Sequence, residues 1–122
     1  MKQNISEAEL EIMKVLWKIE KGSSAEIIEQ LKDKSDWKPK TIQTLITRLV
    51  SKGFIDVDKT NRKLFIYKPA ISESEYKDYA SKSFLKKLYN GSISNMVLSF
   101  VKENKLTKDE IEELRDIFKD ED

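Results

Sequence analysis

The segment from Pro39 to Lys52 combines helical spacing with the side-chain chemistry that can read DNA. Apolar residues recur at three- and four-residue intervals on one side, namely Ile42, Leu45, Ile46 and Leu49. The other side carries donors and acceptors suited to phosphates and base edges, namely Lys40, Thr41, Gln43, Thr44, Thr47 and Arg48. Such a pattern predicts a helix with one face in a core and one face available to a duplex. Pro39 suits its first turn, and Gly53 suits the position just past its end.

The elements around this helix predict a winged helix-turn-helix. Serine or threonine precedes glutamate by three residues at Ser6, Ser23, Ser72 and Thr107, and each such capping box predicts a helix start. Two helices therefore precede the Pro39 helix. After Gly53 the pattern alternates over residues 54–59 and 63–68, which predicts a hairpin with its turn at residues 60–62.

In this order of elements the third helix lies in the major groove and the hairpin lies along the adjacent backbone. Eleven residues are predicted to contact DNA. They are Lys38, Lys40, Thr41, Gln43, Thr44, Thr47, Arg48, Lys59, Asn61, Arg62 and Lys63.

Charge and composition agree with this interpretation. Residues 32–68 hold ten Lys or Arg against four acids, whereas residues 101–122 hold five against nine, although the net charge is only +1. A basic segment joined to an acidic tail is typical of a nucleic-acid-binding module. The beginning of the chain has no signal-peptide pattern and no stretch is apolar enough to span a bilayer, so we expect a cytoplasmic protein without membrane insertion.

Enzyme chemistry is not expected. The chain contains no cysteine and no histidine, which removes the usual nucleophile, general base and metal ligands. The remaining acidic pairs, such as Glu112 with Glu113, are sequence neighbours and face different directions on a helix. We therefore predict no catalytic residues, no metal and no cofactor.

Three further helices are predicted over about residues 72–89, 92–103 and 108–119. Each is too short to bury its apolar side alone, so these helices either fold back onto the first domain or pack against a second copy. We favour a homodimer, because a reader of palindromic DNA needs two recognition helices about one helical turn apart. The predicted domains are 1–70, a winged helix DNA-binding domain, and 71–122, a helical dimerisation domain. The predicted dimer interface comprises Leu85, Leu88, Tyr89, Ile93, Met96, Val97, Phe100, Ile111, Leu114 and Ile117.

Several motifs in order resemble the BlaI/MecI family of penicillinase repressors. The segments that carry the resemblance are residues 38–49 with Lys52-Gly53-Phe54-Ile55, the first helix from Ser6 to Trp17, residues 83–91, and residues 109–117. The resemblance covers essentially the whole chain. It implies a homodimeric transcriptional repressor that binds a dyad operator in front of β-lactam resistance or related genes.

The resemblance also implies release by a sensor-linked protease that cuts the dimerisation region between an asparagine and a phenylalanine. That bond aligns with Ser99 and Phe100, so serine replaces asparagine here, and Phe100 is alternatively a dimer-core aromatic. A second departure is Gln43, which stands where well-known members carry arginine; glutamine favours adenine whereas arginine favours guanine. The alternative function is a repressor on the same scaffold that responds to a small-molecule or other stress signal.

Overall fold

The computed structural model describes the backbone of residues 4–120 and the side chains of residues 4–116. Over that range the chain forms six helices and one hairpin. The elements are α1 (Glu7–Ile19), α2 (Ser24–Leu31), α3 (Pro39–Ser51), β1 (Ile55–Asp58), β2 (Ile66–Pro69), α4 (Glu73–Tyr89), α5 (Ile93–Lys102) and α6 (Lys108–Asp120). The predicted fold class, mainly helical with a small hairpin, is confirmed. Across the described residues, every helix is too short or too polar to cross a membrane.

All four capping boxes lie at helix starts, as predicted. At α1 the Ser6 hydroxyl accepts from the Glu9 backbone N–H at 3.1 Å, and the Glu9 carboxylate accepts from the Ser6 N–H at 2.8 Å. The boxes at Ser23 and Thr107 are reciprocal in the same way. At α4 the Glu75 carboxylate instead accepts from the Ser72 hydroxyl, at 3.1 Å. Each box satisfies backbone donors that a helix start otherwise leaves unpaired.

The core of the first compact unit lies between α1, α2, α3 and the hairpin. Its largest fully buried side chains include Leu16, Ile46 and Phe54. Trp17 closes one edge, because its indole N–H donates to the Ile71 carbonyl at 2.9 Å and its ring lies 5.7 Å from that of Tyr76. This unit extends to Lys77, because Tyr76 in the first turn of α4 packs against Trp17 and Phe54.

The hairpin is shorter than the alternating pattern predicts. β1 pairs antiparallel with β2 from Ile55 opposite Pro69 to Asp58 opposite Ile66, so residues 59–65 form a seven-residue loop. The prediction of a three-residue turn followed by a strand from Lys63 is therefore wrong. Side chains explain the difference: Asp58 accepts from the Thr60 N–H at 2.9 Å, and Asn61 Oδ1 accepts from the Lys63 N–H at 3.0 Å. These local bonds take backbone donors that the strand ladder would need.

β2 has a second neighbour that the pattern does not predict. The Gly22 N–H donates to the Tyr67 carbonyl at 2.9 Å, and the Tyr67 N–H donates to the Gly22 carbonyl at 2.8 Å. The bridge fixes the α1–α2 connection to the hairpin. It thereby holds the start of α2 close to the strand that leads out of the loop.

The second compact unit begins at Asp78 and contains the rest of α4 with α5 and α6. α4 ends at two residues with positive φ, Asn90 at 51° and Gly91 at 83°, and the Gly91 N–H donates to the Leu85 carbonyl at 2.9 Å. This is a left-handed helix end of the kind that Asn-Gly predicts. Among the described side chains of this unit, residues 78–116, every one is exposed or half-buried.

Candidate DNA-binding surface

Two sequence features fix the ends of α3, and its apolar stripe fixes its rotation. Pro39 is its first residue, and the chain leaves it through Gly53 at φ 84°, where the Phe54 N–H donates to the Leu49 carbonyl at 2.9 Å. All four apolar residues of the stripe are buried, namely Ile42, Leu45, Ile46 and Leu49. A helix held on this stripe must present the opposite side to solvent.

The polar side of α3 forms what we call the reading face, defined as Lys40, Thr41, Gln43, Thr44, Thr47 and Arg48. Five of these residues are exposed, and Gln43 is half-buried. Lys38 is exposed at the cap position immediately before the helix. The sequence prediction therefore places these side chains on one continuous surface.

Two threonines of the reading face are already hydrogen-bonded within the helix. The Thr44 hydroxyl donates to the Lys40 carbonyl and the Thr47 hydroxyl donates to the Gln43 carbonyl, both at 3.0 Å. In this rotamer each hydroxyl has used its proton, so the side chain offers an acceptor oxygen and a methyl group. A thymine methyl or a base amino group is the chemistry that such a side chain can meet.

The wing, defined as β1, β2 and the loop of residues 59–65, carries the second predicted set. Lys59, Asn61, Arg62 and Lys63 are all exposed. They are not equivalent, because Asn61 Oδ1 is bonded to the Lys63 N–H and the Lys59 ammonium lies 5.6 Å from the centre of the Phe65 ring. Hydrogen bonds from the hydroxyl and the backbone N–H of Thr60 lower the pKa of the Asp58 carboxyl.

A cleft of about 370 Å³ joins the reading face to the wing. Gln43 lines it from α3, Arg62 and Lys63 line it from the loop, and Ser24 lines it from the start of α2. The structure thus brings together three of the predicted DNA-contacting residues from two distant parts of the sequence. Lys59 and Asn61 do not line this cleft.

Two features of the surface escape the sequence prediction. Leu64 and Phe65, predicted within a strand, lie in the loop and are exposed. Lys52, directly after α3, forms a 2.7 Å ion pair with Glu9 of α1 and also donates to the Asn4 carbonyl at 3.1 Å. The sequence holds no signal for this pair, because both residues have ordinary roles at helix ends.

The second unit carries an apolar groove of about 520 Å³ between α4 and α5. Leu85, Ile93 and Met96 of the predicted interface line it, together with Phe84. The Phe84 and Tyr89 rings lie 5.9 Å apart, and Leu88 is exposed. Val97, Phe100, Ile111 and Leu114 are half-buried, and the side chain of Ile117 lies outside the described residues.

Three helices followed by a bridged hairpin, with a polar helix face beside a basic loop, define a winged helix-turn-helix protein of the DNA-binding class. The comparisons with known proteins narrow that class. The chain belongs to the penicillinase repressor family, which it matches over residues 5–120.

Named relatives cover nearly the whole chain. The methicillin resistance regulatory protein MecI of Staphylococcus aureus strain N315 is 49% identical over 113 residues, which are 93% of this chain and 91% of MecI. The penicillinase repressor of Bacillus licheniformis is 45% identical over 116 residues, or 95% of this chain and 90% of that protein.

A solved structure matches part of the chain. The solution structure of the monomeric form of Bacillus licheniformis BlaI in complex with the blaP half-operator is 46% identical, with a TM-score of 0.54. The match covers 62% of this chain and 92% of that chain. The family predicted from the motifs is confirmed.

Proposed function

We propose that the chain is a homodimeric transcriptional repressor that binds a dyad operator and controls β-lactam resistance or related genes. The observation that carries the proposal is the polar reading face of α3, which lies opposite the buried apolar stripe and beside the basic wing. Family membership supports it, since one relative is named as a methicillin resistance regulator and another was solved on a half-operator.

Each residue of the surface receives a role from its chemistry. Thr41 and either Gln43 or Thr44 are the proposed base readers, because they combine hydrogen-bonding groups with positions on the polar side of α3. The longer cations anchor phosphates, and the remaining polar side chains support them. The phosphate anchors are Lys40, Arg48, Arg62 and Lys63; the supporting residues are Lys38, Thr47, Lys59 and Asn61.

Gln43→Ala tests the base-reading role. A side chain that pairs with a base edge contributes about 1 to 3 kcal/mol of discrimination, so we expect operator affinity to fall between roughly 5- and 150-fold. Binding to random duplexes of the same length should change little. Gln30→Ala is the matched control, because Gln30 is exposed on α2 and stands outside the reading face. Equal operator affinities for the two variants would show that Gln43 does not contact a base.

The second unit is proposed to hold the dimer together. Every described side chain of this unit is exposed or half-buried, and the groove between α4 and α5 is apolar. Helices of 10 to 17 residues with open apolar sides need a partner surface, and a second copy provides one. The division of labour is therefore DNA binding by the first unit and dimerisation by the second.

Release is proposed to follow a cut between Ser99 and Phe100 by a sensor-linked protease. Both residues are half-buried near the end of α5, where the Ser99 carbonyl accepts from the Glu103 N–H at 3.1 Å. A protease binds extended chain, so the last turn of α5 must open before cleavage. Mass spectrometry of the chain recovered from cells exposed to a β-lactam should detect a fragment that ends at Ser99. An intact chain under conditions of derepression would favour release by a small molecule instead.

Selection of bound DNA from a random pool tests the function as a whole. The expected product is a duplex with two inverted half-sites about one helical turn, or a multiple, apart. A single half-site without symmetry would contradict the dimeric part of the proposal. Recovered pools without any shared sequence would contradict specific repression altogether.

A further inference from the structure

The wing loop exposes two large apolar side chains beside its cations. Leu64 is 49% exposed and Phe65 is 37% exposed. Over the described residues 4–77, these are the two large hydrophobic side chains that are exposed; the others are buried or half-buried. Exposed apolar side chains next to charged ones commonly belong to a binding surface.

The two faces of the wing differ in charge. Leu64, Phe65 and Tyr67 line the cleft shared with Gln43, whereas Ile66 and Lys68 line a different cleft. The Phe65 cleft contains Arg62 and Lys63 and is lined by no carboxylate among the described residues. The Ile66 cleft is lined by three carboxylates and two lysines, namely Glu26, Asp56, Asp58, Lys21 and Lys68. An anionic duplex therefore complements the Phe65 side.

The Phe65 cleft is lined by both cationic and apolar side chains, whereas contacts to phosphate alone would need only the cations. A nucleic-acid backbone alternates an anionic phosphate with a sugar whose C–H edge is apolar. Arg62 and Lys63 suit the phosphate, while Leu64 and Phe65 suit the sugar edge. Lys59 helps to hold the aromatic ring in place from 5.6 Å.

We infer that Leu64 and Phe65 form an apolar contact with a deoxyribose of the bound duplex, between phosphates held by Arg62 and Lys63. The inference rests on the proposed function and adds to it a component of affinity that does not depend on salt. Ion contacts release counterions and weaken as salt rises, whereas burial of apolar surface does not.

Titrations of the full chain at several salt concentrations separate the two components. Leu64→Ala is expected to weaken binding about 3- to 10-fold, on the selected duplex and on a random duplex alike, with an unchanged salt slope. Phe65→Ala should behave in the same way, and Phe65→Leu should keep affinity within about twofold because the side chain stays apolar. Arg62→Ala should instead lower the salt slope by about one.

Ile66→Ala is the matched control, because Ile66 follows Phe65 in sequence and lies on the acidic side of the wing. It should bind both duplexes within about twofold of the wild type. Benzoylphenylalanine in place of Phe65 should give a photoadduct with DNA. Adducts between two copies of the chain, or Leu64→Ala binding that equals the wild type, would overturn the inference alone. A wild-type chain that binds neither duplex would overturn the proposed function and this inference with it.

Discussion

Ile93→Asp is expected to convert the proposed dimer into a monomer and to weaken binding to a dyad operator by about 10²-fold or more, while binding to a single half-site stays unchanged. Ile93 is 50% exposed and lines the apolar groove between α4 and α5. A carboxylate at this position would have to lose its water when a second copy packs against the groove. Burial of an unpaired charge is strongly unfavourable.

The expected loss of operator affinity follows from the physical joining of two DNA-binding units. When two readers are joined, the second half-site is bound at the high effective concentration that the first contact creates, and this adds about 10² to 10⁴ in affinity. A monomer loses that factor and keeps its intrinsic contacts. Sedimentation equilibrium at micromolar concentration and titrations on full and half operators measure the two effects separately.

Ser94→Asp is the control for charge. Ser94 is exposed and adjoins Ile93 in the first turn of α5, where a carboxylate interacts favourably with the helix N-terminus. Both variants therefore add the same charge to the same helix turn, and only one of them alters the groove. If Ile93→Asp remains a dimer, or if Ser94→Asp dissociates equally, the groove is not the interface.

Much of the fold was predictable because short-range chemistry determines it. The boundaries of α3 follow from Pro39 and Gly53, whose backbone preferences act within one turn. Helix starts follow from capping boxes, which close over three residues, as at Ser23. The apolar stripe then determines the rotation of α3 without any long-range information, so the reading face could be identified residue by residue.

Features that depend on distant parts of the chain were not predictable. The bridge between Gly22 and Tyr67 joins residues 45 positions apart, and the pair of Glu9 with Lys52 joins residues 43 apart. Neither leaves a periodic signal. The prediction of a strand from Lys63 was wrong for a different reason. Residues 63–65 continue an alternating pattern that is typical of a strand, but Asp58 and Asn61 accept from nearby backbone N–H groups, so these groups do not pair between the strands.

The second large effect is expected from Lys52→Met, which should lower the free energy of unfolding by about 2 to 4 kcal/mol and the melting temperature by roughly 10 to 20 °C. The Glu9 side chain is 3% exposed and that of Lys52 is 25% exposed, so the pair is largely withdrawn from water. Glu9 Oε2 already has no hydrogen-bond partner among the described residues. Without Lys52 the carboxylate would keep the Ser6 bonds but lose the cation that offsets its burial.

Controls separate the ion pair from the loss of a lysine. Lys14→Met removes the partner of Glu11 in a pair at 3.3 Å whose side chains are both about half exposed, and it should change stability by no more than about 1 kcal/mol. The double variant Glu9→Gln with Lys52→Met removes the buried charge and keeps a capping side chain, so it should be more stable than Lys52→Met alone. Equal urea midpoints for Lys14→Met and Lys52→Met at pH 7 would refute the role assigned to the pair.

The contribution of the Glu9–Lys52 pair to the free energy of unfolding should change with pH in a direction that can be measured. Burial raises the pKa of Glu9, but the hydrogen bonds from Lys52 and Ser6 together outweigh burial, so the pKa in the folded chain lies below the ordinary 4.5. A carboxyl with a lowered folded pKa stabilises the fold fully above its unfolded pKa, and this contribution is lost as the pH falls through the folded pKa. In Lys52→Met the burial remains without the cation, so protonation of Glu9 relieves the variant. The stability gap between wild type and Lys52→Met should therefore be largest near pH 7 and narrow as the pH falls towards and through the lowered pKa of Glu9. A gap that stays constant between pH 7 and pH 3.5 would mean that Lys52 stabilises the fold through its hydrogen bond to the Asn4 carbonyl and not through the charge of Glu9.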